Sequence, residues 1–174
     1  MIHDNSTQLE GVSADSSVRV GALGWQHAHW QDSFYPVDLP EDWRLSFYAN
    51  EYSVVLLAES DWNSAEVDFA DWIEDVPPGF QFYLQHEQPL EEQHMQQVKQ
   101  QLGQHLGGFV ESVGGVPDRH PGIALLEMAS MDLRGWRAWL EENKDSLRVI
   151  ILKDERLAAK QLSDFKSLLE LLGL

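Results

Sequence analysis

Val18-Arg19-Val20-Gly21-Ala22-Leu23-Gly24-Trp25 reads as a short strand that stops at a glycine and opens into an aromatic loop, with Trp30 and Phe34-Tyr35-Pro36 close behind. Four more runs of this character fall near 53–58, 80–85, 123–128 and 148–153. They are near-continuous apolar stretches rather than alternating ones, the pattern of parallel strands covered on both faces. Helical spacing fills the gaps between them. Asn63 and Glu66 form a capping-box signature ahead of Ala65, Phe69, Ile73 and Val76. Pro89 opens an i, i+4 stripe of Leu90, His94, Val98, Leu102 and Leu106, which Gly107-Gly108 ends or kinks. Leu133, Trp136, Trp139 and Leu140 make a further apolar face, and Leu162, Phe165, Leu168, Leu169 and Leu172 another.

Strands alternating with helices imply an α/β fold with a parallel sheet. Right-handed crossovers leave two architectures, a TIM-barrel-like sheet or an open doubly wound, flavodoxin-like one. A complete barrel takes about 200 residues or more. With residues 1–17 read as a flexible acidic tail, the single domain over 18–174 falls short of that. The expectation is an incomplete or reduced barrel. Its unclosed sheet would carry edge strands, and pairing of two copies into a homo-oligomer is one way to cover them.

The chain has no cysteine, which removes disulfides, thiol nucleophiles and cysteine-ligated zinc together and fits a reducing, cytoplasmic setting. No apolar run approaches the ~20 residues of a membrane span, so no membrane partner is expected. The net charge of −17 is uneven: residues 20–98 hold fifteen acids and one base, Arg44, whereas 99–174 hold ten bases and eleven acids. An acidic first half repels phosphate backbones, so nucleic acid is not an expected partner. The charge either keeps the protein soluble or attracts a basic partner.

The opening resembles that of the YecE-like family, a group of barrel domains of unknown function. The resemblance rests on Gly21, Gly24, Trp25, Trp30, Phe34, Tyr35 and Pro36 in order and spacing, then on Trp43, Phe47-Tyr48-Ala49 and Tyr52. It is good over about 18–55 and moderate to about 86. It implies an acid, an amide and a lysine pointing inward from the second and third strands. This chain has Leu56, Ala58 and Gln85 at those positions. A family Glu-x-Arg pattern near the fourth strand corresponds to Glu127-Met128-Ala129, keeping the acid and losing the arginine. Leu, Ala and Gln do not shuttle protons, and Leu and Ala suit a dry interior. The resemblance therefore implies an inherited frame without its inherited reaction. A one-residue slip would hand the acid's role to Glu59, but only through a bulge, because neighbouring strand residues face opposite ways.

Three sets of candidate site residues follow. Trp25, His27, Trp30, Phe34 and Tyr35 lie beyond a strand's C-terminal end, where α/β proteins bind ligands; they either form an aromatic lip for a small molecule or protein partner, or pack as a closed wall. Glu127, Lys153 and Asp154 lie at later strand ends and would serve an enzyme of unknown specificity. His27-Ala28-His29 offers two imidazoles to a metal-dependent hydrolase, but the shell lacks a recognisable third ligand. No cofactor is expected. Phosphate-loop and Gly-x-Ser-x-Gly signatures are absent.

Overall fold

A computed structural model describes residues 17–112, 118–154 and 156–174. The tail expected over 1–17 lies outside them, apart from Ser17. One sheet contains β1 (Arg19–Leu23), β2 (Val54–Leu57), β3 (Gln81–His86), β4 (Leu106–Glu111), β5 (Asp118–His120), β6 (Ile123–Leu126) and β7 (Val149–Leu152), in the order β4-β3-β2-β1-β7-β6-β5. Among the described residues six strands run parallel, and β5 runs antiparallel to β6. The helices are α1 (Arg44–Glu51), α2 (Glu59–Trp62), α3 (Phe69–Glu74), α4 (Glu92–Leu102), α5 (Leu133–Asn143) and α6 (Ala159–Leu172). None is long and apolar enough to cross a membrane.

The strand order separates the two architectures. A doubly wound sheet returns to its centre after reaching one edge and winds outward again. Here the chain runs from β1 to β4, crosses to the opposite edge, and winds back through β6 and β7 to lie beside β1. Each parallel step moves in the same rotational sense, so right-handed crossovers place the helices on one face. That is barrel winding with part of the wall missing: a curled half-barrel. Only five residues separate Ser112 after β4 from Asp118 of β5, so the two edges stand within about 20 Å at that point.

The two sheet faces carry separate cores. Val20, Ala22, Val55, Leu57, Phe82, Leu84, Ile150 and Leu152 face the helices and pack with Leu45, Tyr48, Val98, Trp136, Leu140 and Phe165. Val54, Leu56, Tyr83, Val110, Leu125, Val149 and Ile151 form the other cluster, which draws on strands alone. β2 and β7 are buried at every position, and this double coverage is why they read as unbroken apolar runs.

Gly21 and Tyr48 fix the β1–β2 junction. Register pairing starts only at Ala22 and Val55. Below it, the Tyr48 hydroxyl accepts from the Ala22 N–H and donates to the Val54 carbonyl, each at 2.8 Å. A side chain at Gly21 would bring Cβ to 2.1 Å from the Val54 carbonyl oxygen, so only glycine permits this close approach.

Three local expectations are corrected. Asn63 does not open a helix but closes α2 as its C-cap; its amide donates to Glu59 and accepts from His94, and α3 begins instead at Asp68, whose carboxylate accepts from the Ala70 N–H at 2.9 Å. The stripe through Leu106 stops at Leu102, because Gly103 turns left-handed at φ 54°, and Leu106 pairs with Phe82 as the start of β4. Gly107 is therefore a strand residue, and its missing side chain makes room for the Tyr83 ring, 2.5 Å from where a Cβ would stand. β5 joins β6 through Pro121-Gly122, with Gly122 at φ 77°, the proline-then-glycine chemistry of a type II turn.

Candidate functional site: the mouth of the half-barrel

The C-terminal ends of the parallel strands converge on one rim, the place where barrel folds build sites. β1 reaches it first. Gly24 takes φ 75° and its N–H donates to the Leu56 carbonyl at 2.7 Å, so the chain turns outward while still attached to β2. The aromatic loop then folds back into the wall. Trp30 is fully buried, and its Nε1–H donates to the Leu157 carbonyl at 2.7 Å. Tyr35 is 1% exposed and donates to the Trp25 carbonyl at 2.6 Å. Burial pushes the Tyr35 hydroxyl well above its ordinary pKa, even with the Arg44 guanidinium 5.5 Å over its ring. Phe34 is half-buried against Trp30, Tyr35 and Phe47.

Trp25, itself only 5% exposed, and the half-buried His27 line a cavity of about 310 Å³ with Leu23, Gly24, Gln26, Leu57, Asp61 and Trp72. Trp25 and Trp72 meet at 90° with ring centroids 5.2 Å apart. Trp72 is backed by Phe82 at 5.5 Å and Phe69 at 5.2 Å. The His27 Nε2 donates to the Leu23 carbonyl at 2.8 Å, which leaves Nδ1 as an acceptor in the neutral ring. Burial lowers the His27 pKa below its ordinary value, opposed by hydrogen bonding to Leu23.

His27 and His29 stand with ring centroids 5.4 Å apart. His29 Nε2 donates to the Leu157 carbonyl at 2.8 Å, so each imidazole has one nitrogen on a backbone carbonyl. Among the described residues no group of three or more His, Cys, Asp or Glu side chains is placed to hold a metal ion.

On the opposite side of the rim, Glu127 follows β6 and caps the short helical turn Met128–Ser130, and Lys153 follows β7. The β6–β7 register ends at Leu126 and Leu152, and the Lys153 N–H donates to the Leu126 carbonyl at 2.9 Å, so the two residues follow adjacent strand ends. Asp154 is turned away, and its carboxylate accepts from the Met128 N–H at 2.9 Å.

At the positions where the family resemblance implies polar groups, Leu56 is fully buried in the strand-only cluster, and Ala58 precedes α2 as its N-cap. Gln85 is half-buried, and its carbonyl accepts from Trp62 Nε1–H at 2.7 Å. Glu59 lies beyond β2 in α2, where its carboxylate accepts from the Glu87 N–H at 2.8 Å. That bond holds the Glu59 carboxyl below the usual carboxylate range. Glu59, Asn63 and His94 line an open surface groove with Pro89 and Leu90, and His94 stacks on Trp62 at 5.9 Å.

Sequence reasoning did not single out Gln26, Asp61 or Trp72. Asp61 follows β2 by one helical turn, a position open to inspection, but Trp72 reaches the cavity only because α3 packs against the end of β1.

Comparison with known proteins gives two matches. A family model described as protein of unknown function DUF72 matches residues 19–142. Among solved structures, a DUF72 family protein from Thermotoga maritima is similar at 16% identity, with 79% of this chain and 55% of that one covered and a TM-score of 0.42. The chain thus spans about half the length of that protein. No curated protein matches.

Proposed function

This chain belongs to the DUF72 family of proteins of unknown function, the family its YecE-like opening also names, and we propose that it is a ligand-binding half-barrel without the inward polar chemistry that the resemblance implies. The observation that carries this reading is the contrast between interior and rim. Leu56, Leu125, Val149 and Ile151 pack into one dry layer, with the β1-end cavity open at the rim. A carboxylate or ammonium placed in that layer would lose its hydration without a partner. The rim cavity instead combines apolar walls with a few polar groups, the usual make-up of a small-molecule site.

A fragment screen read by protein-observed NMR tests the reading. The expected outcome is that hits shift the Trp25 and Trp72 indole resonances and lose affinity in Trp72→Leu. A hit set that leaves those resonances unmoved would refute it.

A second reading, an enzyme working from Glu127 and Lys153, draws on their adjacency at the rim. Its mark would be a Lys153→Ala change that abolishes turnover of a substrate while leaving rim-cavity binding intact.

A further inference from the structure

Taking the rim cavity as a binding site, we infer that it accepts a small alkylammonium cation, held by the indoles of Trp25 and Trp72 and the carboxylate of Asp61. The inference deepens the ligand-binding reading above and rests on it.

Four observations converge on a cation. The first is the walls. Trp72 is the half-buried wall, meeting the 5%-exposed Trp25 edge to face, and a cation within about 6 Å of an aromatic face is attracted by the ring quadrupole, most strongly for tryptophan. Quaternary ammonium groups are bound against such aromatic walls. The second is rigidity. Trp72 is braced by Phe69 and Phe82, and the Trp25 carbonyl is held by Tyr35, so little order has to be imposed on binding. The third is charge. The lining includes the Asp61 carboxylate and contains no lysine or arginine. His27 lines it as an imidazole whose protonation is disfavoured by burial. An anion would meet Asp61 with no cationic group to offset it. The fourth is the surrounding field: residues 20–98, which supply the whole lining, carry fifteen acids and one base. That base, Arg44, bonds to Gln31 at 2.9 Å and lies over Tyr35, on the wall rather than in the cavity. A cleft in such a field concentrates cations and speeds their arrival.

The volume of about 310 Å³ lies at the small end of ligand sites. It suits a methylated ammonium head group, whether on a free small molecule or at the tip of a trimethylated lysine side chain.

Choline and its uncharged isostere 3,3-dimethylbutan-1-ol separate charge from shape. Titration of the full chain, followed by tryptophan fluorescence and calorimetry, is expected to show choline binding at least about tenfold tighter than the isostere. Asp61→Asn is expected to weaken choline about fivefold or more and leave the isostere unchanged, since Asp61 is exposed and its carboxylate acts through charge. A change that merely disturbed the fold would weaken both alike. Trp72→Leu, which keeps an apolar wall, is expected to abolish the preference for choline. A peptide bearing trimethyllysine, titrated in parallel, distinguishes the sources: tighter binding than choline assigns the site to a protein side chain, and weaker binding to a free amine. Equal binding of choline and the isostere overturns the inference while leaving the cavity as a site. Failure of choline and the peptide to bind also overturns it, and the ligand-binding reading then stands or falls on the fragment screen alone.

Discussion

At the residue scale, two side chains show how much one polar atom decides here. The Tyr48 hydroxyl occupies the place of a missing ladder bond between β1 and β2, satisfying the Ala22 N–H and the Val54 carbonyl in a fully buried setting. Tyr48→Phe keeps the ring and strands both backbone groups. Each unsatisfied group costs about 1–3 kcal/mol, so urea denaturation should show a loss of about 3 kcal/mol with an unchanged m-value. The other side chain is His27. Burial depresses its folded pKa below the ordinary value of 6.5, hydrogen bonds to Leu23 and Gly24 oppose the shift, and among charged neighbours His29 lowers it and Asp61 raises it. In the window below 6.5 the unfolded chain binds more protons than the folded one, so stability from this group is complete above that pH and lost as pH falls through the window. NMR titration should give His27 a midpoint below 6.5, and Asp61→Asn should move it lower still. A midpoint raised by Asp61→Asn would contradict the placement of the two groups.

At the element scale, the strands were legible where burial on both faces made them uniform and illegible where glycine or shortness hid them. β1, β2, β3, β6 and β7 all fall on apolar runs evident in the chain. β4 was missed because Gly107 and Gly108 carry no side chain to show a pattern, and a helical stripe runs into it from α4. β5 has only three residues, and its strand character comes from pairing with β6. The inward layer makes the element-scale prediction. Leu56→Glu restores the acid that the family resemblance implies, but places it among Val54, Leu125, Val149 and Ile151. Burying an unpaired carboxylate costs at least about 3 kcal/mol even after its pKa rises to neutralise it. The variant should therefore unfold at markedly lower urea, with part of its stability returning as pH is lowered. Full stability at neutral pH would mean that the layer holds water or a counter-charge.

At the scale of the whole molecule, a curled sheet with two ends distributes its stability unevenly. β1 lies at the centre of the strand order with β2 and β7 on either side, whereas β4 and β5 stand at the two edges. Amide exchange should be slowest in β1, β2 and β7, since core strands open only on global unfolding. It should be faster in β4 and β5. The homo-oligomer anticipated from an unclosed sheet becomes a measurable alternative in the same experiment, because pairing of copies along β4 would protect its amides increasingly with protein concentration.

The sequence by itself determined the α/β class, the parallel character of the sheet and the family. Each of these is written in local periodicity or in the ordered glycine and aromatic landmarks of 18–55. Tertiary structure alone decided which sense the sheet winds and which aromatic residues border the rim cavity. Winding depends on where the chain goes between β4 and β6, a choice made by crossover handedness and helix packing rather than by any single run. Exposure depends on neighbours distant in sequence: Trp30 is buried because Leu157 lies above it, and Trp25 borders a cavity because α3 brings Trp72 against it.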